Sequence, residues 1–288
     1  MALKNLNIID KCTIAYHCLI ALIILFFSYR IPLWQYKILI NISIIAIIAL
    51  LISRISEKSP AFIKLIKNFY PLLLTMPAYM QTGLINRVIF KDYLDPFFEK
   101  LEYAVFGFQP AIAFANAFPQ AWFSELMHTA YFCYYAIIPG LAVLLYVKSD
   151  RTRFQDYMFS ACNGFYICYV IYVLLPVEGA IYFNMNNLPG NGPFTSIMQI
   201  IYKHFETGGA AFPSSHVALT LISVYYCFKY VRGLFIVYLL IFIFLSLSTV
   251  YCRYHYAIDV IAGIITGILL LFLLRRINPE LRRVENRS

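Results

Sequence analysis

His255 and Asp259 stand four residues apart, so on a helix they share one face. A carboxylate on one ring nitrogen of a histidine fixes its tautomer. The other nitrogen is then free to attack an electrophile or to take a proton. His216 lies 39 residues earlier, in the run Ala211-Phe212-Pro213-Ser214-Ser215-His216. Proline followed by two serines is a helix-start signal, with a serine as N-cap and backbone N–H groups facing outward. Such an end attracts phosphate through its donors and its dipole. Arg253, beside the His255/Asp259 pair, is a cation suited to clamping a phosphate oxygen. His216, His255 and Asp259 are therefore the candidate catalytic residues, for nucleophilic and acid–base chemistry at phosphorus. Ser214, Ser215 and Arg253 are the candidate phosphate-binding residues.

The elements that must position them are membrane helices. Of 288 residues, 61% are hydrophobic and 13% charged, with a mean hydropathy of +0.72. Soluble domains average about 25% charged, so this composition excludes a water-soluble body, a disordered chain and a secreted disulfide scaffold. Apolar runs near the length of about 20 residues needed to span a bilayer occur at 13–29, 34–53, 69–90, 122–147, 157–176, 214–231, 233–252 and 255–274. The sequence thus predicts an all-α polytopic bundle of about eight transmembrane helices. Pro71 and Pro77 interrupt the third run, which reads as kinked or re-entrant. The first run follows lysines but has no small-residue cleavage site after Phe27, and reads as a retained anchor.

The distance from His216 to His255 is one trip across the hydrocarbon and one back, at about 1.5 Å per residue. Both histidines therefore reach the same interface. Eight crossings put both termini on one side, with 16 Lys and Arg residues against 7 on the other. The positive-inside rule makes that richer side cytoplasmic and puts both histidines on the other, facing a periplasm, exterior or lumen. The predicted organisation is a transmembrane hairpin and loop over 1–68, a catalytic membrane core over 69–275 and a basic cytoplasmic tail over 276–288. Within the core, 91–121 alternates aromatics with charges and reads as an interfacial segment. The Gly-, Pro- and Asn-rich stretch 177–213 reads as a flap.

Other residue types point to packing. Seven cysteines, an odd number with no C-x-x-C pair, signal neither a zinc site nor a disulfide framework. The net charge of +9 lies between apolar runs rather than in a patch with stacking aromatics, which excludes nucleic acid as a partner. His17 reads as structural, and Glu125 and His128 as packing groups on one face. His204 and Glu206 read as solvated loop residues, and Tyr131, Tyr134 and Tyr135 as aromatic packing. Asn41-Ile42-Ser43 matches a glycosylation acceptor, but it lies within a span.

Phe212-Pro213-Ser214-Ser215-His216-Val217 and the run from His255 to Gly263 resemble the second and third signature motifs of the type 2 phosphatidic acid phosphatase superfamily. Within it the chain looks most like the inositol phosphorylceramide synthase (aureobasidin-target) branch. That likeness rests on Asp95-Pro96 with Leu101 to Gly107, on Glu125 to Tyr135, and on Pro176 to Tyr182. The resemblance covers roughly 90–275 and implies a six-helix catalytic core. It implies His255 as nucleophile, Asp259 as its orienting partner, and His216 as the acid and then the base. Two departures stand out. Thr249 occupies the position, six before the nucleophile, where the phosphatases carry arginine, and no Lys-x6-Arg-Pro motif is present. Two cationic phosphate clamps are missing, which favours the branch whose phosphate arrives as a diester.

The sequence therefore predicts a lipid phosphotransferase with no cofactor and no metal. Its substrates are a phospholipid and a lipid alcohol, with phosphoinositol and ceramide implied by the resemblance; nothing in the sequence specifies a partner subunit. Hydrolysis by the same site, giving a lipid phosphatase, is the alternative. A transporter fits less well, because the ionisable residues gather at one interface rather than at the midplane. A metallohydrolase using the His-His-Asp set as ligands is the remaining class.

Overall fold

Helix starts in this chain are written by short polar side chains at the ends of apolar runs. Asn7 and Asp10 form a reciprocal capping box, each side chain accepting from the other's backbone N–H at 2.9 Å. Asp150 accepts from Arg153 N at 2.9 Å, and Ser214 Oγ from Val217 N at 3.4 Å. The computed structural model describes residues 6–55, 58–183 and 192–277. Among these it has thirteen α-helices and no strand. They are α1 (Ile8–Phe26), α2 (Trp34–Arg54), α3 (Ala61–Leu73), α4 (Thr75–Gly83), α5 (Asp95–Phe106), α6 (Pro110–Ala117) and α7 (Ala121–Phe132), followed by α8 (Tyr134–Lys148), α9 (Arg151–Leu174), α10 (Pro193–Phe205), α11 (Ser215–Tyr230), α12 (Phe235–Tyr251) and α13 (Ala257–Ile277).

Among the described residues, six helices are long and apolar enough to cross a membrane: α1, α2, α7 running on into α8, α9, α12 with the turn before it, and α13. The protein is an all-α polytopic helical protein. The third apolar run is two helices meeting at Leu74, with Pro71 in the last turn of α3 and Pro77 in the first turn of α4. A proline accepts helical geometry most readily in a first turn and disrupts an interior, which is why the run breaks between the two. The sixth run yields α11, 16 residues long and so about 24 Å, because Pro213 and Ser214 start it late.

The hydrocarbon-facing surface and the interior separate clearly. In α9 the apolar window is 78% buried, against 17–44% in the other five spans, so α9 is the central post of the bundle. It packs against α1, α4, α8 and α11. α11 and α13 cross in close contact. A Cβ at Gly263 would come within 2.6 Å of Ser214 O, so only glycine allows the two backbones to meet there. Ser214 N then donates to Asp259 O at 3.1 Å.

The segments between spans are more ordered than their composition suggests. The 91–121 stretch carries α5 and α6. The 177–213 stretch, read above as a flap, carries α10; residues 184–191 of it lie outside the described residues. The hidden signal was periodic: Phe194, Ile197, Met198, Ile201, Tyr202 and Phe205 recur at three- and four-residue spacing. Both long segments fold onto one end of the bundle and roof it.

Candidate active site

Ser214 and Asp259 fix the frame of the site. Tyr172, from the central α9, donates to Pro213 O at 3.0 Å and accepts from Ser215 N at 3.1 Å, which anchors the start of α11. At the start of α13, Asp259 Oδ2 accepts from Tyr256 N at 2.9 Å. The α12–α13 turn is closed by Thr249 O, which accepts from both Tyr254 N and His255 N at 3.0 Å. Thr249, the residue at the expected arginine position, thus serves the turn that presents His255.

These frames bring the two histidines together. His255 Nε2 lies 3.4 Å from His216 Nδ1. On its other side, His255 Nδ1 is 3.4 Å from Asp259 Oδ2, an ion-pair distance longer than a formed hydrogen bond. Asp259 and His255 are both buried, so that the pairing is shielded from water. The remaining nitrogen of His216, Nε2, is 2.9 Å from the Tyr131 hydroxyl. The rings of Tyr131 and Tyr134 lie 4.7 and 4.1 Å from that of His216. His216 is therefore clamped between tyrosines, with one nitrogen held and the other aimed at His255. Aromatic packing was the sequence reading of Tyr131 and Tyr134, and nothing in the sequence says that a tyrosine on α7 reaches a histidine on α11.

The histidines open onto a cavity of about 200 Å³. Tyr79, Tyr131, Tyr202, Tyr254, Glu178 and Glu206 supply its polar wall. Glu206, read from the sequence as solvated, is exposed and also borders this cavity, where its Oε1 accepts from the Tyr79 hydroxyl at 2.5 Å. Desolvation at the cavity wall raises its carboxyl above the usual range, while the Tyr79 hydrogen bond and the charge of His255 pull it back. Glu178 is raised by burial as well, with Asp95 adding to the effect and Arg87 opposing it. His204, at the end of α10, is exposed, as the sequence suggested.

The candidate phosphate-binding residues sit elsewhere. Ser214 caps α11, Ser215 meets Tyr134 and Tyr172, and neither lines the cavity. Arg253 is buried in the α12–α13 turn with a left-handed backbone (φ 62°), and it is not part of the cavity wall either. The turn, rather than a helical face, decides where that side chain goes.

Two carboxylates work at the margins of the site as caps for helices other than their own. Glu102 of α5 is fully buried, and its Oε1 accepts from Ala257 N at 2.6 Å and Ile258 N at 3.3 Å, the first turn of α13. Burial, opposed by these two bonds, raises its carboxyl to about 7. Glu125 of α7, which accepts from Phe194 N and Thr195 N at 3.0 Å and from the Thr195 hydroxyl, caps α10 in the same way. A carboxylate at a helix N-terminus meets both the free donors and the dipole. Asp95 plays a related part, accepting from Glu178 N and Gly179 N at 2.9 Å and from the Tyr256 hydroxyl at 3.2 Å. Tyr202 of the capped α10 stacks on Tyr254 at 4.1 Å, closing the roof. Among the described residues, no three His, Cys, Asp or Glu side chains are grouped to hold a metal ion.

A paired His-His-Asp geometry at the mouth of a helix bundle is what the two sequence motifs promise. A family model, the PAP2 superfamily, matches residues 100–273, which carry both motifs. The chain belongs to the PAP2 superfamily. No curated protein and no solved structure matches it. Membership puts this PAP2 protein in the phosphatase or phosphotransferase class. The matched residues include the part of α5 that carries Glu102, the roof helix α10 and both histidines, so the site described above lies within it except for Tyr79, Arg87 and Asp95.

Proposed function

We propose that the protein is a membrane-embedded lipid phosphotransferase. It moves a phospho-head group from a glycerophospholipid to a lipid alcohol such as ceramide, with phosphoinositol as the group that the family likeness favours. The observation that carries the reading is the disposition of His255, whose Nδ1 faces Asp259 and whose Nε2 faces both His216 and the cavity. His255 Nε2 attacks phosphorus, the bond from phosphorus to the glycerolipid oxygen breaks, and His216 hands that oxygen a proton. The lipid alcohol then attacks the phosphohistidine, its proton passes to His216, and the P–N bond breaks. Splitting one difficult displacement in two is ordinary covalent catalysis.

The missing cationic clamps support transfer of a diester over hydrolysis of a monoester. Hydrolysis remains the second reading, since water is small enough to replace the alcohol in the same cavity. The charge bias of the loops supports cytoplasmic termini and a site on the opposite side of the membrane. Purified protein incubated with labelled phosphatidylinositol, with and without ceramide, decides between the readings. Transfer yields a labelled sphingolipid only when ceramide is present. Release of free inositol phosphate regardless of ceramide makes the protein a hydrolase. Turnover in chelator, inhibited by vanadate, is expected; loss of activity on chelation, restored by zinc, would point to metal chemistry.

A further inference from the structure

We infer that Glu206 is a specificity-determining residue that excludes doubly charged phosphomonoesters from the cavity. The inference rests on the phosphotransfer reading above and names which phosphate esters that site accepts. Glu206 sits with both histidines on the wall of one cavity, and its carboxylate is fixed there by the Tyr79 hydroxyl. Among the described residues, the same wall carries Glu178 and no lysine or arginine. Phosphate sites that take dianions ordinarily surround them with guanidinium or ammonium groups. This wall has the opposite sign.

A phosphomonoester carries close to two negative charges above its second pKa of about 6, whereas a diester carries one. Glu206 is exposed at the rim of the cavity, and near a protein surface an additional unit charge within several ångströms of a carboxylate is opposed by about a few times more than in bulk water. Like-charge juxtaposition is also the usual way a site rejects a wrong ligand. Glu206 therefore makes the dianion a poorer ligand than the singly charged diester. Tyr79, Tyr131, Tyr202 and Tyr254 contribute hydroxyls and rings, which do not offset a second charge.

The test uses the full-length protein and a pair of aryl esters, p-nitrophenyl phosphate and p-nitrophenyl methyl phosphate, at about pH 8, where they carry two charges and one. Each reports attack at phosphorus without any lipid acceptor. Glu206→Gln should raise kcat/KM for the monoester relative to the diester by at least about tenfold. Glu206→Asp, which keeps the charge, should hold the ratio near that of the wild type. A ratio unmoved in Glu206→Gln, or moved equally by Gln and Asp, overturns the proposal. Should Glu206→Gln not fold, the wild type still answers. Phenylphosphonate, with two charges, should inhibit at least about tenfold more weakly than its monomethyl ester, and equal inhibition overturns the charge filter. Failure of the transferase reading shows separately, as absence of a labelled sphingolipid in the lipid assay while the aryl-ester ratio still responds to Glu206.

Discussion

The Tyr131 hydroxyl lies 2.9 Å from His216 Nε2, on the far side of the ring from His255. A tyrosine of α7 thereby settles which nitrogen of His216 is left for proton transfer. Tyr131→Phe keeps the ring and removes that bond, whose typical worth is about 1 kcal/mol. Turnover of the natural lipid should fall about five- to tenfold. An activated aryl ester, which needs no proton on its leaving group, should be turned over nearly as before. Equal losses on both substrates would mean that Tyr131 supports packing alone.

The two histidines should separate by the same comparison. His255→Ala should abolish turnover of both the lipid and the aryl ester, and no acid-labile phosphohistidine should be trapped on it. His216→Ala should lose about 10²–10⁴-fold on the lipid and recover much of that on the aryl ester. Asp259→Asn should resemble a weaker His255→Ala, because the ring loses its fixed tautomer. Rescue of His255→Ala but not of His216→Ala by the aryl ester reverses the roles.

Glu125 holds α10 over the cavity, so Glu125→Ala should loosen the roof rather than remove a reacting group. KM for the lipid donor should rise several-fold while kcat on a soluble aryl ester changes less. Replacing an N-cap acceptor costs about 1 kcal/mol, and a loss of that size should appear as faster proteolysis within α10. Unchanged KM and unchanged proteolysis would deny Glu125 this part.

Glu102 predicts a pH dependence. Its folded carboxyl is raised from 4.5 to about 7, so between those values the folded protein holds a proton that the unfolded chain has given up. Stability must then fall as pH rises through that window, by at most on the order of 3 kcal/mol for this group. Glu102→Gln, which retains an oxygen for Ala257 N and Ile258 N, should flatten the slope of the thermal midpoint between about pH 5 and 7 in detergent. An identical slope in the variant assigns the dependence elsewhere.

Orientation can be read with an impermeant thiol reagent on intact cells. A cysteine at Lys203, near the end of α10, should be labelled, and one at Lys58, between α2 and α3, should not. The reverse pattern overturns the charge-bias argument.

Much of the frame was legible because membrane crossing imposes lengths. The interval from His216 to His255 suggested that the two would meet, and the structure does bring His255 Nε2 to 3.4 Å from His216 Nδ1. Asp259 was singled out by helical spacing, but His255 stands in the turn before α13, and that turn sets their 3.4 Å separation. What the sequence hid was everything that depends on a chain reversal. Arg253 looked like a clamp, but the turn from α12 to α13 buries it outside the cavity. Glu206 is exposed, as its loop position suggested, but that it also borders the cavity depends on α4 and the end of α10 meeting through Tyr79. Glu102 and Glu125 carry no local capping signature, since the donors they meet lie 155 and 69 residues away. The break at Leu74, by contrast, follows the two prolines on either side of it.

The glycine crossing at Gly263, with Ser214 N bonded to Asp259 O, joins the start of the helix that carries His216 to the start of the helix that carries Asp259 through main-chain atoms. A bilayer that thickens or thins acts on helices by tilting them, and a pair locked at that point tilts as one piece. The spacing of the two rings is then insulated from the mechanical state of the surrounding lipid. Turnover in bilayers of different acyl length should vary through how substrates reach the cavity, while the burst of phosphoenzyme from a soluble aryl ester stays constant.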